Sequence, residues 1–300
     1  MTTFLLVGHT GFQNRGCEAI VQSTRALLRE RFGNIRVILS STNPQNDAAF
    51  AVPGESEVHA AIPGERSARR WASRLLKVCG LLRLRARVRF VAVLKDMAQA
   101  DVVLSIGGDL YSMDYGFPAD QLYLSALAYQ ASKPLVIWGA SIGPFPSRRI
   151  YDQVTASLRS ASLITVRESL SRQDLADHGV ASNVRQVFDP AFALEPDPVD
   201  TSPFWPQGDG VLGLNVASVL GSYSGHHATV VVEAAAGLVE RALEAYGLGV
   251  LLIPHVVYGA GLSNEHELLK AVAARVASPN RVRVMPNNLT AAQTKHVISQ

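Results

Sequence analysis

FLLVGHTGFQNRGCEA, residues 4–19, passes from an apolar run into a cluster of small and polar residues and then into a helical pattern reaching residue 32. An uninterrupted apolar run suits a strand covered on both faces, whereas a strand with one wet face alternates. Gly8, Gly11 and Gly16 allow tight turning and close approach of a ligand to the backbone, and the helix opening behind them presents unpaired N–H groups to an anion. Strand, Gly-rich turn and crossover helix form the repeating unit of a parallel α/β sheet. The glycine spacing does not fit G-x-G-x-x-G and no acidic residue closes the second strand, which disfavours NAD. A purely structural β–α turn accounts for the cluster as well as a binding loop does.

The pattern recurs downstream. IRVILSS (35–41), DVVLSIG (101–107), PLVIWGA (134–140), LITVR (163–167) and VRQVF (184–188) read as strands, and 15–32, 146–161 and 168–178 as crossover helices, the last stopped by Gly179. EPDPVDTSPFWPQGDG (195–210), with four prolines and two glycines, disfavours regular structure. Alternation then restarts with VLGLNVA (211–217), a helix at 228–246, GVLLIPH (249–255), a helix at 264–277, RVRVMP (281–286) and a helix from Thr290. The expectation is an α/β chain with two Rossmann-like domains: an N-terminal domain at 1–198, a linker at 199–210, and a second domain at 211–300 that is incomplete. Its thin sheet should have an open edge.

The chain has 300 residues, 48% of them hydrophobic and 18% charged, enough for two ordinary domains. No apolar stretch approaches the ~20 residues needed to span a bilayer. MTTFLLVGHTG lacks a basic leader and turns at Gly8, so it reads as a buried first strand and not a signal peptide, which places the protein in the cytoplasm. Cys17 and Cys79 suit neither a disulfide framework nor a zinc site. Ten of the 28 Lys/Arg and none of the 25 Asp/Glu fall between Arg66 and Lys95, so the rest of the chain is net acidic. Interleaved with those cations are Trp71, Leu75, Leu76, Val78, Leu81, Leu82, Leu84, Val88 and Phe90. Two readings fit: packed surface helices with a solvated basic face, or a peripheral contact with anionic lipid on the inner face of the membrane. No nucleic-acid module surrounds the stretch.

Polar residues gather where the strands end. Gly107-Gly108-Asp109 follows one strand; its carboxylate suits sugar hydroxyls or proton abstraction, or else caps a helix. Ser141 and Gly143 follow the next. Arg167 ends another, and its planar fork suits phosphate or carboxylate, with a salt bridge to Glu168 or Asp189 as the structural alternative. Asp189 reads as a turn or cap. His255 ends GVLLIPH and projects where a ligand could lie, as His9 could; His226-His227 lack chelating spacing. No metal is expected, since the acidic and His residues do not cluster at ligand spacing.

GHTGFQNRGCEA (8–19), SIGGDLYS (105–112), WGASIGPF (138–145), TVRES (165–169), VFDP (187–190) and LIPH (252–255), in this order, resemble the polysaccharide pyruvyl transferase family over nearly the whole chain. Asn14-x-Gly16-x-Glu18 looks like that family's opening motif. The resemblance implies a GT-B-like two-domain fold and transfer of enolpyruvyl from phosphoenolpyruvate onto two hydroxyls of a cell-surface saccharide or its lipid-linked precursor, forming a ketal and releasing phosphate. Phosphoenolpyruvate is the donor substrate and no cofactor is implied. Arg167, His255 and Asp109 become the catalytic candidates. Gly8, His9, Asn14, Gly16, Glu18, Gly107, Gly108, Ser141, Gly143 and Asn215 become the substrate-binding set. The family's second clamp, an Arg closely followed by a His, would come after the helix from Thr290, beyond Gln300. The expectation is therefore a fragment with little or no transferase activity. A nucleotide-sugar glycosyltransferase of the same architecture and a catalytically dead glycan-binding or scaffold protein remain the alternatives.

Overall fold

β1 (Thr2–Val7) shows why the first apolar run is uninterrupted. Phe4 and Leu6 point into one core, with Ile20, Val21 and Leu28 of α1 (Arg15–Phe32); Leu5 and Val7 point into another, with Phe90, Val93, Met97, Leu124 and Leu127. Both faces are covered, so every position from Phe4 to Val7 is apolar. Each fully buried Leu, Val or Phe contributes about 1.5–3 kcal/mol.

The computed structural model describes the whole chain except residues 63–66, 80, 114–115, 222–224 and 226, so Arg66 and His226 lie outside the described residues. The chain divides into two compact units, Met1–Phe12 with Ala19–Leu194, and Gln13–Glu18 with Glu195–Gln300.

The first unit contains a parallel sheet in the order β3-β2-β1-β4-β5-β6-β7. Its strands are β1, β2 (Ile35–Ser41), β3 (Ser56–Ala60), β4 (Val102–Ile106), β5 (Leu135–Ala140), β6 (Leu163–Val166) and β7 (Val184–Gln186). β3 has no counterpart among the expected strands: SEVHA alternates polar and apolar residues, and it lies beside β2 at the sheet edge. The basic stretch forms three helices, α2 (Ala68–Val78), α3 (Leu82–Arg89) and α4 (Val91–Gln99). α4 buries Val93, Asp96 and Met97 in the core, so Lys95 belongs to a core helix. Two further helices precede the last strands, α5 (Ala119–Gln130) and α6 (Arg148–Leu158), and α7 (Ser169–Asp177) follows β6.

The second unit contains a three-stranded parallel sheet, β10-β9-β8, from β8 (Val211–Leu214), β9 (Gly249–Leu252) and β10 (Val282–Val284). α8 (Ala228–Tyr246) and α9 (Glu265–Ala273) cover the face of Val250 and Leu252; α10 (Ala291–Ile298) joins the cluster of Leu251 and Ile253 on the other. The Pro-rich stretch expected as a linker is itself packed: Phe204 is buried in that second cluster and Trp205 lies against it. Among the described residues no helix is long and apolar enough to cross a membrane.

Candidate functional site

Strand order in the first unit reverses between β1 and β4, the position where open parallel sheets bind ligands beyond the strand ends. The loops after these strands touch. A Cβ added to Gly8, whose φ is +93°, would stand 2.9 Å from the Ile106 carbonyl oxygen. One strand further, Ser141 after β5 donates its backbone N–H to the Gly108 carbonyl.

Arg167, one residue past β6, reaches into this group. Its guanidinium lies so close over Gly108 that a Cβ there would meet Nη1 at 2.8 Å. Nη1 donates to Asp189 Oδ2 (2.5 Å) and Nη2 to Ser141 Oγ (2.6 Å), while Ser141 Oγ donates to Glu168 Oε1 (2.7 Å). Both salt bridges weighed as structural alternatives exist. The Glu168 contact, at 3.4 Å from Nε, is not aligned as a hydrogen bond, and the buried Nε–H has no hydrogen-bond partner. An unsatisfied buried donor is expensive in a folded protein, and here it belongs to the arginine expected to hold an anion. Beside it is a cavity of 390 Å³ lined by Ser141, Gly143, Glu168, Leu170, Ser171 and Asp174. Asp174 accepts from the Tyr151 hydroxyl (2.7 Å) through one oxygen, and its other oxygen is buried without a partner.

Asp109 caps no helix. Its main-chain carbonyl closes a turn, accepting from the backbone N–H (3.0 Å) and hydroxyl (2.8 Å) of Ser112. Asp189, in contrast, does cap a short 3-10 turn, accepting from Ala191 N–H as well as from Arg167.

His9 is buried, not displayed at an open surface, and its Nε2 bonds Asp47 Oδ2 at 2.9 Å. Asp47 also accepts from Ser41 Oγ (2.5 Å) and Phe12 N–H (2.8 Å). Burial alone would raise the Asp47 carboxyl pKa; the hydrogen bonds from His9 and Ser41, attraction to the His9 ring and the Phe12 N–H together outweigh it and hold the value below ordinary. Asp47 escaped the sequence reading because STNPQND looks like any polar loop.

A separate group forms in the second unit, which includes the end of the opening motif. Asn14 Oδ1 accepts from the backbone N–H of Gly16 (3.0 Å) and Cys17 (3.2 Å), capping α1. Arg15 N–H donates to the His255 carbonyl (2.9 Å). Glu18, buried, accepts from Arg15 Nη1 (2.9 Å) and from Ala291 N–H (3.0 Å) at the start of α10. Its carboxylate is engaged as a helix anchor, a poor position for a base.

Glu265, missed in the sequence, organises the loop after β9. Its buried Oε2 accepts from His255 N–H (2.8 Å), Val256 N–H (3.0 Å) and Asn215 Nδ2 (3.0 Å), and Asn215 Nδ2 also donates to the Ile253 carbonyl (2.8 Å). Asn215 thus holds the His255 loop in place. Its signal was Asn264-Glu265 at a helix start, where Asn264 caps α9. Burial, the main cause, and the nearby Arg15 charge push the His255 pKa below its ordinary value, against an opposing pull from Glu265. His255 and Asn215 line a cavity of 620 Å³ that Trp205, Gly213, Ile253 and Val297 share. Among the described residues no group of three or more His, Cys, Asp or Glu could hold a metal ion.

The family model for polysaccharide pyruvyl transferase matches residues 14–300. The chain belongs to that family. No curated protein matches at the sequence level. Among solved structures, this pyruvyl transferase family member is similar to a UDP-N-acetylglucosamine 2-epimerase (TM-score 0.57, 14% identity, 98% of this chain and 71% of that one). A putative UDP-N-acetylglucosamine 2-epimerase from Listeria monocytogenes gives 0.57 at 12% identity, covering 97% and 70%. UGT73P12 from Glycyrrhiza uralensis gives 0.51 at 11%, covering 99% and 70%. At these identities the likeness concerns the fold alone, an α/β architecture of the GT-B type with a parallel sheet and a second, smaller sheet.

Proposed function

We propose that this chain binds phosphoenolpyruvate through Arg167 and serves transfer of its enolpyruvyl group to a saccharide acceptor. The observation that carries this reading is the buried, unpartnered Arg167 Nε–H, on a guanidinium oriented by Ser141 and Asp189 over Gly108. Arginine's planar fork suits the donor's phosphate and carboxylate.

In the reaction two sugar hydroxyl oxygens bond to the enol carbon and the phosphate leaves with its bridging oxygen. One hydroxyl proton's equivalent ends on the methylene carbon, making it methyl, and the other ends on phosphate. The step needs an acid at the methylene and a base at the hydroxyls. In this reading Glu168, on the 390 Å³ cavity, is the carboxylate that accepts from acceptor hydroxyls. Asp109 keeps its carboxylate at the exit of β4 as the remaining candidate.

Binding is the test. Phosphoenolpyruvate should raise the thermal midpoint of the wild-type protein and leave Arg167→Ala unmoved. Protection by a nucleotide sugar and not by phosphoenolpyruvate would refute the reading. Contact with a lipid surface is a further part of the proposal, carried by different residues.

A further inference from the structure

We infer that the α2–α3 hairpin is a docking surface for an anionic phospholipid bilayer. Trp71, Leu75 and Val78 recur at helical spacing on α2 and are 67%, 65% and 85% exposed; Leu81 and Leu84, at the turn and on α3, are 53% and 50% exposed. The opposite side of α2 faces inward through buried Ser73 and half-buried Leu76. A stripe of this size left in water along one helix marks an interaction surface. Arg74 sits 6.0 Å over the Trp71 ring, and Arg87 is also exposed. Arg89 bonds both oxygens of Asp120, at 2.8 and 2.6 Å, and ties the hairpin's end to α5. The segment from Arg66 to Lys95 contains no acid to neutralise the rest.

The occupant follows from that pairing of cations with apolar side chains. A second copy of the same face would set two all-cationic segments against each other. A nucleic acid would satisfy the charges and leave Leu75 and Val78 in water. An anionic bilayer satisfies both, receiving the apolar stripe among its acyl chains and the arginines at its headgroups. Each basic residue near such a surface is worth about fivefold in affinity.

The test uses the full chain and vesicles of phosphatidylcholine with or without phosphatidylglycerol. The protein should float with the anionic vesicles, weaken as salt rises, and ignore phosphatidylcholine alone. Brominated acyl chains should quench Trp71 emission, read as the difference between wild type and Trp71→Phe. Trp71→Ser with Leu75→Ser and Val78→Ser should lower binding about tenfold or more at an unchanged melting temperature, since these side chains are exposed. Arg74→Glu with Arg87→Glu, which spares the apolar stripe, should abolish the preference for phosphatidylglycerol. No flotation, equal flotation of the triple variant, or tight RNA binding without quenching by brominated lipid would overturn the proposal. The proposal uses none of the residues around Arg167 and is read without phosphoenolpyruvate, so either reading can fail alone.

Discussion

Gly108 makes room for its neighbour. With Arg167 Nη1 at 2.8 Å from the place a Cβ would take, Gly108→Ala forces the guanidinium off Asp189 and Ser141. Urea denaturation should show a loss of about 1–3 kcal/mol, and phosphoenolpyruvate protection should weaken with it. Asp47 makes a pH prediction. Its folded pKa lies below the ordinary 3.8, so its stabilisation is present above that value and is lost as pH falls through the folded one. Asp47→Asn should lower stability at neutral pH and flatten the acid limb of a melting-temperature profile. His255 acts at higher pH. Its folded pKa lies below 6.5, so the unfolded chain takes up a proton first and stability declines as pH drops below that value. His255→Gln should remove that part of the slope, measured between about pH 6.5 and 5.

At the scale of elements, two helix starts carry unusual weight. Ala291 N–H at the head of α10 is satisfied by Glu18, far away in sequence, alongside Thr290 and Gln293, which form a reciprocal capping box. Glu18→Ala leaves that N–H and Arg15 without this partner and should cost about 1–3 kcal/mol, read as a lower denaturation midpoint. β8 ends the small sheet, with Leu212 partly exposed on it. Edge strands of this kind template pairing between chains, so Leu212→Lys should reduce concentration-dependent light scattering while leaving the far-ultraviolet spectrum unchanged. The elements themselves were largely legible in the sequence because their apolar runs are buried on both faces, as in Ile35–Ser41, or because they end in strong signals, as Ala228–Tyr246 does at Gly247 in a left-handed conformation. SEVHA was not legible, since an edge strand can keep polar residues. Nor was α4 separable from the basic hairpin by charge, because only its packing shows that Val93 and Met97 are core.

For the whole molecule, the order of Gly-rich strand exits foretold the parallel α/β fold and the family whose model matches residues 14–300. What the sequence made legible was that the strand-end residues Arg167, Gly108 and Ser141 would lie together. The site was not legible where a side chain acts through partners distant in sequence. Asp47 gave no local sign of binding His9, the helix start at Asn264-Glu265 did not point to the His255 loop, and Glu18, read as a ligand-binding motif residue, anchors a helix 273 positions away. The central claim, that Arg167 receives phosphoenolpyruvate, is best tested by phosphorus NMR with phosphoenolpyruvate and UDP-N-acetylglucosamine in one tube with the protein. Line broadening confined to the phosphoenolpyruvate signal, and absent with Arg167→Ala, is the predicted result. Broadening of the diphosphate signals with the phosphoenolpyruvate line left sharp would contradict it.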